Sequence, residues 1–170
     1  MRSKIVSEAR HASLRRGAVV CSLLAAGLVS SSALAGKNND GPIVSLTDGQ
    51  VQGTSASGVN VFRGIPYAAP PVGKLRWQPP QAVKRWNNVR DGSSFGNTCP
   101  QVTELGAFAG PTSVTEDCLY LNVFTTGSSK KKGVIVWIHG GGNVDGESND
   151  YDATKLAQGG PDGRETVVVT

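Results

Sequence analysis

The chain has 170 residues, with 17 lysines and arginines against 13 acidic residues. Five of the basic residues and one of the acids lie in the first 35 positions, so the remaining 135 residues carry twelve of each sign. This balance excludes net charge as an argument for nucleic-acid binding or for attachment to an anionic membrane. A segment of 135 residues predicts one compact domain.

The first 35 residues have the organisation of a secretory signal peptide. Residues 2–16 hold the five basic side chains, residues 17–29 form an apolar run, and residues 33–35 (Ala-Leu-Ala) supply the small residues of a cleavage position. A membrane anchor is the alternative, but a span needs roughly 20 apolar residues and this run is shorter. We therefore expect residues 1–35 to be removed, leaving an exported chain, periplasmic or secreted, with no stable membrane insertion.

The first half of residues 36–170 predicts hairpins followed by irregular structure. Two short alternating runs flank Asp48-Gly49, a dipeptide typical of a β-hairpin, and residues 59–63 predict a third strand. Prolines from 66 to 80 then interrupt regular structure, leaving an ordered wrap or a flexible linker. The aromatic residues Tyr67, Trp77 and Trp86 favour the wrap. Residues 92–115 predict a long loop.

The second half predicts a strand–helix–strand unit. Residues 134–138 are apolar and rich in β-branched side chains, which predicts a central strand buried on both faces. A short helix over residues 153–158, capped by Asp152, leads to a buried parallel strand over residues 166–170 by a right-handed crossover. Hairpins followed by this unit predict an α/β fold with a mixed sheet.

The cysteines and histidines limit the chemistry of the chain. After the first 35 residues only Cys99 and Cys118 remain, and an even number in an exported chain favours a disulfide over two free thiols. His139 is the one histidine left, and no cluster has the spacing of a metal site. We therefore expect neither a metal nor a cofactor.

Three glycines follow residues 134–138, in the sequence His139-Gly140-Gly141-Gly142. Glycine lets the backbone turn sharply and leaves N–H groups free to point into a cleft. A glycine-rich turn without a function is one reading. The other is the oxyanion loop of lipases and esterases with the α/β-hydrolase fold, whose His-Gly-Gly-Gly pattern this segment resembles.

Four segments together resemble the type-B carboxylesterases, a family that includes cholinesterases and many bacterial esterases. Their order and spacing make the resemblance specific, and it extends over residues 43–170. It implies that residues 36–170 are the N-terminal part of an α/β-hydrolase domain, about a quarter of a full esterase. The segments are residues 62–68 (FRGIPYA), 70–77 (PPVGKLRW), 116–122 (EDCLYLN) and 137–142 (WIHGGG).

The resemblance assigns structural roles to two pairs of residues. Cys99 and Cys118 match a disulfide that closes a surface loop over one side of the active-site gorge. Arg76 and Glu116 match an ion pair that ties the proline-rich segment to the base of this loop. Two unrelated surface charges are the alternative for the second pair.

The resemblance also assigns roles to the glycines. Gly141 and Gly142 match the two N–H donors of an oxyanion hole, which stabilises the negative oxygen of the tetrahedral intermediate in ester hydrolysis. Gly140 matches a hinge. His139 matches a residue that orients this loop through its ring, because the catalytic base of the family lies much further along the chain.

The catalytic triad itself is not expected within these 170 residues. Residues 146–150 begin like the G-x-S-x-G nucleophile elbow, but Asp150 stands where the last glycine is required and no apolar strand precedes Gly146. We interpret Ser148 as a loop serine and expect the nucleophile, acid and base outside the chain, which alone is predicted to be inactive. The alternatives are a non-catalytic binding or adhesion module and an inactive truncated product.

Two positions depart from the family pattern. Asn143 stands where many relatives have phenylalanine, so the shape of their acyl pocket does not carry over. Residues 99–118 contain no tryptophan, which removes the cation–π platform expected for a choline ester. The resemblance therefore implies a small-molecule carboxylic ester as substrate, with neither a particular acyl group nor a particular alcohol.

Overall fold

A computed structural model of the chain describes residues 41–170. The predicted signal peptide, residues 1–35, and its cleavage position lie outside the described residues. Within residues 41–170, eight strands form two sheets and one short α-helix packs on the larger sheet. The elements are β1 (Ile43–Leu46), β2 (Gly49–Gln52), β3 (Thr54–Ala56), β4 (Val59–Pro66), β5 (Val89–Asp91), β6 (Tyr120–Thr126), β7 (Gly133–Val136), α1 (Thr154–Ala157) and β8 (Thr166–Val169).

The smaller sheet has the strand order β1-β2-β5. β1 and β2 pair antiparallel with Leu46 opposite Gly49, which confirms the predicted hairpin. β5 adds parallel to β2 and was not predicted, because three residues carry little periodicity. The expectation for Trp86, just after the proline-rich segment, is confirmed, since its indole N–H donates to the Gln50 carbonyl oxygen at 2.8 Å. The expectation for Trp77 was wrong, because its side chain is 96% exposed.

The larger sheet has the strand order β3-β4-β6-β8-β7. β4 pairs antiparallel with β3 and β6, and β6 pairs antiparallel with β8. β7 and β8 are parallel and are connected through α1, which confirms the strand–helix–strand unit and the mixed sheet.

The short helix α1 packs on one face of this sheet, against β6 and β8. Ala153 and Ala157 lie four residues apart and pack with Phe124 and Val168, all of them buried. Small alanine side chains let the short helix approach the strands closely. The predicted cap is displaced by one residue: the helix has Ala153 at its N-cap position, and Asp152, just before it, accepts a hydrogen bond from the Thr154 N–H at 2.9 Å. Hydrogen bonds from the Thr154 side chain and backbone lower the pKa of the Asp152 carboxyl. No helix in residues 41–170 is long and apolar enough to cross a bilayer.

The prediction of a buried central strand over residues 134–138 was wrong. The strand is β7, Gly133–Val136, and it lies at the edge of the larger sheet. Val134 is 64% exposed and Ile138 is 84% exposed. The physical reason is that a parallel strand is buried only when other elements cover it, and α1 packs against β6 and β8 instead. β8, in contrast, has a neighbour on each side, and its Val168 is 1% exposed.

We expect the edge at β7 to drive self-association of residues 36–170. Among the described residues nothing pairs with the outer side of β7, and exposed apolar edge strands pair with other chains. Val134→Lys should shift residues 36–170 toward the monomer in light scattering across a concentration series. Val114→Lys, at a valine that is 88% exposed but outside the sheets, is the control and should change nothing. A wild-type chain that stays monomeric throughout would contradict this expectation.

Candidate active site

The glycine loop, residues 139–146, lies at the carboxyl end of the parallel strands. β7 precedes it, and the Trp137 N–H donates to the Val169 carbonyl oxygen at 2.7 Å, which extends the pairing of β7 with β8 toward the loop. Because β7 and β8 are parallel, their carboxyl ends meet at one edge of the sheet. In α/β proteins this edge is where ligands bind.

The backbone of this loop requires glycine at specific positions. Gly141 has φ +122° and Gly142 has φ +62°, values that side chains disfavour. A Cβ atom at Gly141 would lie 1.6 Å from the Asp145 carbonyl oxygen, whereas a Cβ at Gly140 or Gly142 would meet nothing within 4 Å. Glycine is therefore required at position 141 by a close approach of the Asp145 backbone and by φ, and at position 142 by φ alone.

The loop turns back on itself and leaves several donors free. The N–H groups of Val144 and Asp145 both donate to the Gly141 carbonyl oxygen, at 2.9 and 3.3 Å. By contrast, the N–H groups of residues 140–143 donate to no acceptor within residues 41–170. A turn closed through one carbonyl thus presents a run of unpaired donors, the arrangement that an anionic oxygen can use.

His139 stands at the start of the loop with an exposed ring. Its Nδ1 lies 2.8 Å from the Gly140 carbonyl oxygen, and since a carbonyl only accepts, Nδ1 carries the proton. The same nitrogen lies 2.7 Å from the position of a Cβ at Gly146, so the ring fits against a glycine. The ring therefore packs within its own loop.

Ser148 does not have the geometry of a nucleophile elbow. It begins a 3-10 helix, Ser148–Asp150, after Glu147 in an extended conformation, and no strand leads into it. Its Oγ accepts a hydrogen bond from Asn122 Nδ2 at 3.2 Å. Within residues 41–170 no hydrogen bond joins Ser148 to His139.

A second loop lies against the glycine loop: the disulfide loop, residues 99–118. A Cys99–Cys118 bond closes it, with Cα atoms 5.0 Å apart. Gln101 and Ser113 pair antiparallel inside it, with both N–H···O distances at 3.0 Å. The Gln101 side-chain amide also donates to the Ala109 carbonyl oxygen at 2.9 Å, so the loop is folded back on itself.

Hydrogen bonds connect the two loops directly. Asp145 Oδ2 accepts from the N–H groups of Glu104 and Leu105, at 2.7 and 3.0 Å. The Gly146 N–H donates to Gln101 Oε1 at 2.8 Å. The glycine loop is thus held from outside by residues that lie 40 to 45 positions earlier in the chain.

Arg76 and Glu116 meet at the base of the disulfide loop. Arg76 Nε lies 2.6 Å from Glu116 Oε1, and both side chains are partly exposed. Exposed ion pairs contribute about 0–1 kcal/mol, so this pair orients the proline-rich segment more than it stabilises the fold.

A cavity of about 360 Å³ opens beside the glycine loop and reaches the carboxyl ends of β7 and β8. Tyr67, Tyr120, Trp137 and Glu147 are among its lining residues.

Burial, followed by the hydrogen bond that the Tyr120 hydroxyl donates to Asp117, raises the pKa of Tyr120, so its phenol stays neutral. Glu147 accepts hydrogen bonds from the Thr98 hydroxyl and from Asn149 Nδ2. No group of His, Cys, Asp and Glu residues within residues 41–170 could hold a metal ion.

Asn122 holds the site together and was not singled out from the sequence. It is 1% exposed, and its Oδ1 accepts from the Gly64 N–H at 3.1 Å, where β4 bulges. Its Nδ2 donates to Ser148 Oγ and to Thr170 Oγ1. The available signal was a polar residue on the inward-facing side of a strand, two positions before the buried Phe124.

Comparison with known proteins gives concordant matches. The sequence profile of the carboxylesterase family matches residues 40–170. Para-nitrobenzyl esterase of Bacillus subtilis is 41% identical over 133 residues, covering 75% of this chain and 26% of its own. Pyrethroid hydrolase Ces2a of Mus musculus is 40% identical over 139 residues, covering 72% of this chain and 25% of its own.

A solved PNB esterase structure superposes with a TM-score of 0.68 at 41% identity, covering 75% of this chain and 27% of its own. A carboxylesterase of Geobacillus stearothermophilus superposes with a TM-score of 0.63 at 38% identity, covering 75% of this chain and 25% of its own. The chain therefore spans about a quarter of the length of the curated relatives it matches.

The steric difference between neighbouring glycines can be tested by substitution. Gly141→Ala should lower the free energy of unfolding by at least about 1–3 kcal/mol, because the new Cβ meets the Asp145 carbonyl oxygen and φ is unfavourable. Gly140→Ala is the matched control and should leave stability within about 0.5 kcal/mol. Chemical denaturation of both variants measures the difference, and equal stabilities would show that the glycine loop is not held as described.

Proposed function

The chain belongs to the carboxylesterase family and has the N-terminal part of an α/β-hydrolase fold, and we propose that it forms part of an exported serine carboxylic ester hydrolase. In this proposal the chain supplies the oxyanion hole and one wall of the active-site gorge. The reaction proceeds through an acyl-enzyme on a serine that another part of the enzyme provides.

The observation that carries the proposal is the run of unpaired N–H groups in the glycine loop. Gly141 and Gly142 present N–H groups with no acceptor in the described part of the chain, in a loop whose two ends, His139 and Gly146, line the cavity. When a nucleophile attacks an ester, the carbonyl oxygen becomes negative. Donors already aimed at that oxygen stabilise it without reorganisation, and loss of one such donor raises the barrier by about 3 kcal/mol.

The nucleophile, acid and base are proposed to lie outside the 170 residues. Ser148 is held by Asn122 in a 3-10 helix and lacks a histidine partner among the described residues. His139 bonds within its own loop. In this reading Ser148 holds the Asn122 side chain, which also bonds to Thr170 just after β8, and His139 orients the Gly140 carbonyl.

The proposed substrate is a small carboxylic ester. The relatives are named for a para-nitrobenzyl ester and for pyrethroids. The cavity beside the glycine loop is small, and its walls are mostly apolar and aromatic. Phe108 is the one aromatic residue of the disulfide loop and is exposed, which gives a quaternary ammonium group no aromatic cage.

Covalent labelling tests the proposal on the complete product of the coding frame. That protein should hydrolyse p-nitrophenyl acetate and should lose activity with a fluorophosphonate that labels one serine. Peptide mass mapping should find the labelled serine outside residues 1–170. A purified product that neither hydrolyses esters nor takes the label would contradict the enzyme and favour a non-catalytic binding module.

Residues 36–170 alone serve as the negative control. They should show no hydrolysis above buffer, and Ser148→Ala in the complete protein should keep its label. Turnover by residues 36–170 that Ser148→Ala abolishes would place the nucleophile at Ser148 and overturn this part of the proposal.

Export can be tested separately by the mass of the secreted chain. If residues 1–35 are a signal peptide, the protein from culture medium or periplasm should begin at Gly36. The Cys99–Cys118 bond supports this expectation, because disulfides persist in oxidising compartments. A cytosolic product that retains Met1 would contradict export without affecting the proposed chemistry.

A further inference from the structure

We propose that Asp145 is a positioning residue, whose side chain clamps the glycine loop to the disulfide loop and so sets the direction of the Gly141 and Gly142 N–H groups. This inference rests on the proposed function, because it assigns a role in forming the oxyanion hole. Asp145 does not touch the substrate in this account.

The side chain of Asp145 is a buried carboxylate with a specific partner. The residue is 6% exposed, although it lies in a surface loop. Both N–H groups that it accepts, from Glu104 and Leu105, converge on Oδ2 at 2.7 and 3.0 Å. Its Oδ1 is buried and meets no donor within residues 41–170. Burial of a carboxylate is unfavourable, and charge-assisted hydrogen bonds from backbone N–H groups are what offset it here.

The backbone of Asp145 contacts Gly141 at the same time. Its N–H donates to the Gly141 carbonyl oxygen at 3.3 Å, and its own carbonyl oxygen occupies the space where a Cβ of Gly141 would lie. A movement of Asp145 therefore moves Gly141. The side chain fixes Asp145 to the disulfide loop, and the backbone transmits that position to the glycine.

A second contact acts in the same direction. The Gly146 N–H donates to Gln101 Oε1 at 2.8 Å, one residue beyond Asp145. Gln101 lies two residues after Cys99 and is held by its pairing with Ser113. The disulfide loop is thus a rigid support, and Asp145 and Gly146 are the two points where the glycine loop attaches.

These partners are remote in sequence, which separates the clamp from ordinary local capping. Leu105 and Asp145 are 40 positions apart in the chain, so the bonds contribute nothing to the turn itself. The turn is already closed by Val144 and Asp145 donating to Gly141. What the side chain adds is orientation, and a displacement of about 1 Å at a reacting group can reduce the rate about a hundredfold.

The test compares Asp145→Ala with Asp145→Asn in the complete protein. Asparagine keeps an oxygen that can accept both N–H groups, whereas alanine removes it. We expect Asp145→Ala to lower kcat for p-nitrophenyl acetate about a hundredfold with KM nearly unchanged, because the oxyanion forms only in the transition state. Asp145→Asn should recover most of kcat. Asp150→Ala, an exposed carboxylate in the following 3-10 helix, is the control for loss of charge.

Amide hydrogen exchange supplies a readout that does not depend on activity. In Asp145→Ala, peptides from residues 101–106 and 139–146 should exchange at least about tenfold faster, while β4 and β6 keep their protection. Unchanged exchange in those peptides, or alanine and asparagine variants with the same kcat, would overturn the proposal. If the wild-type protein hydrolyses no ester, the proposed function fails, and the exchange rates alone decide whether Asp145 clamps the loop.

Discussion

Hydrogen bonds between the disulfide loop and the glycine loop determine what the candidate site can do. A loop that presents its own N–H groups to a cleft cannot use those groups to hold itself in place. The glycine loop is held instead by bonds to the disulfide loop. The Asp145 side chain accepts from Glu104 and Leu105, and the Gly146 N–H donates to Gln101. The donors of residues 140–143 are thereby left free in the described part of the chain.

The rest of the fold places the two loops so that these bonds can form. Parallel pairing of β7 with β8 brings the start of the glycine loop to the edge where β8 ends. Asn122 on β6 links this edge to the bulge of β4 and to Ser148. The Cys99–Cys118 bond holds the disulfide loop beside it. The parallel strands, the buried Asn122 amide and the disulfide bond therefore all act to place the glycine loop beside the disulfide loop.

Local signals in the sequence predicted most of the architecture. Asp48-Gly49 predicted the first hairpin, and the β-branched run before Thr170 predicted β8, because turn chemistry and periodicity are properties of neighbouring residues. β3 and β5 were missed because three residues are too few to show a period. The burial of β7 was wrong because it depends on which elements cover the strand, which the sequence of the strand does not contain.

The residues of the candidate site also fall into two groups, those that the sequence could predict and those that it could not. The glycines could be found from their pattern, since φ and close approach require glycine locally. Asp145 and Gln101 could not, because their partners lie about 40 residues away and most are backbone groups, which carry no sequence signature. Glu147 and Asn149 belong to a segment that was interpreted as a loop and not as a nucleophile elbow, and the structure gives them a mutual hydrogen bond and places both in the wall of the cavity.

A crystal structure of the complete protein with its serine phosphonylated would test the central claim most directly. The phosphonyl oxygen stands in for the oxyanion of the tetrahedral intermediate. The account predicts that this oxygen lies about 2.7–3.1 Å from the backbone nitrogens of both Gly141 and Gly142, with Asp145 still bonded to Glu104 and Leu105. An oxygen that points away from the glycine loop, toward solvent or toward another set of donors, would contradict it.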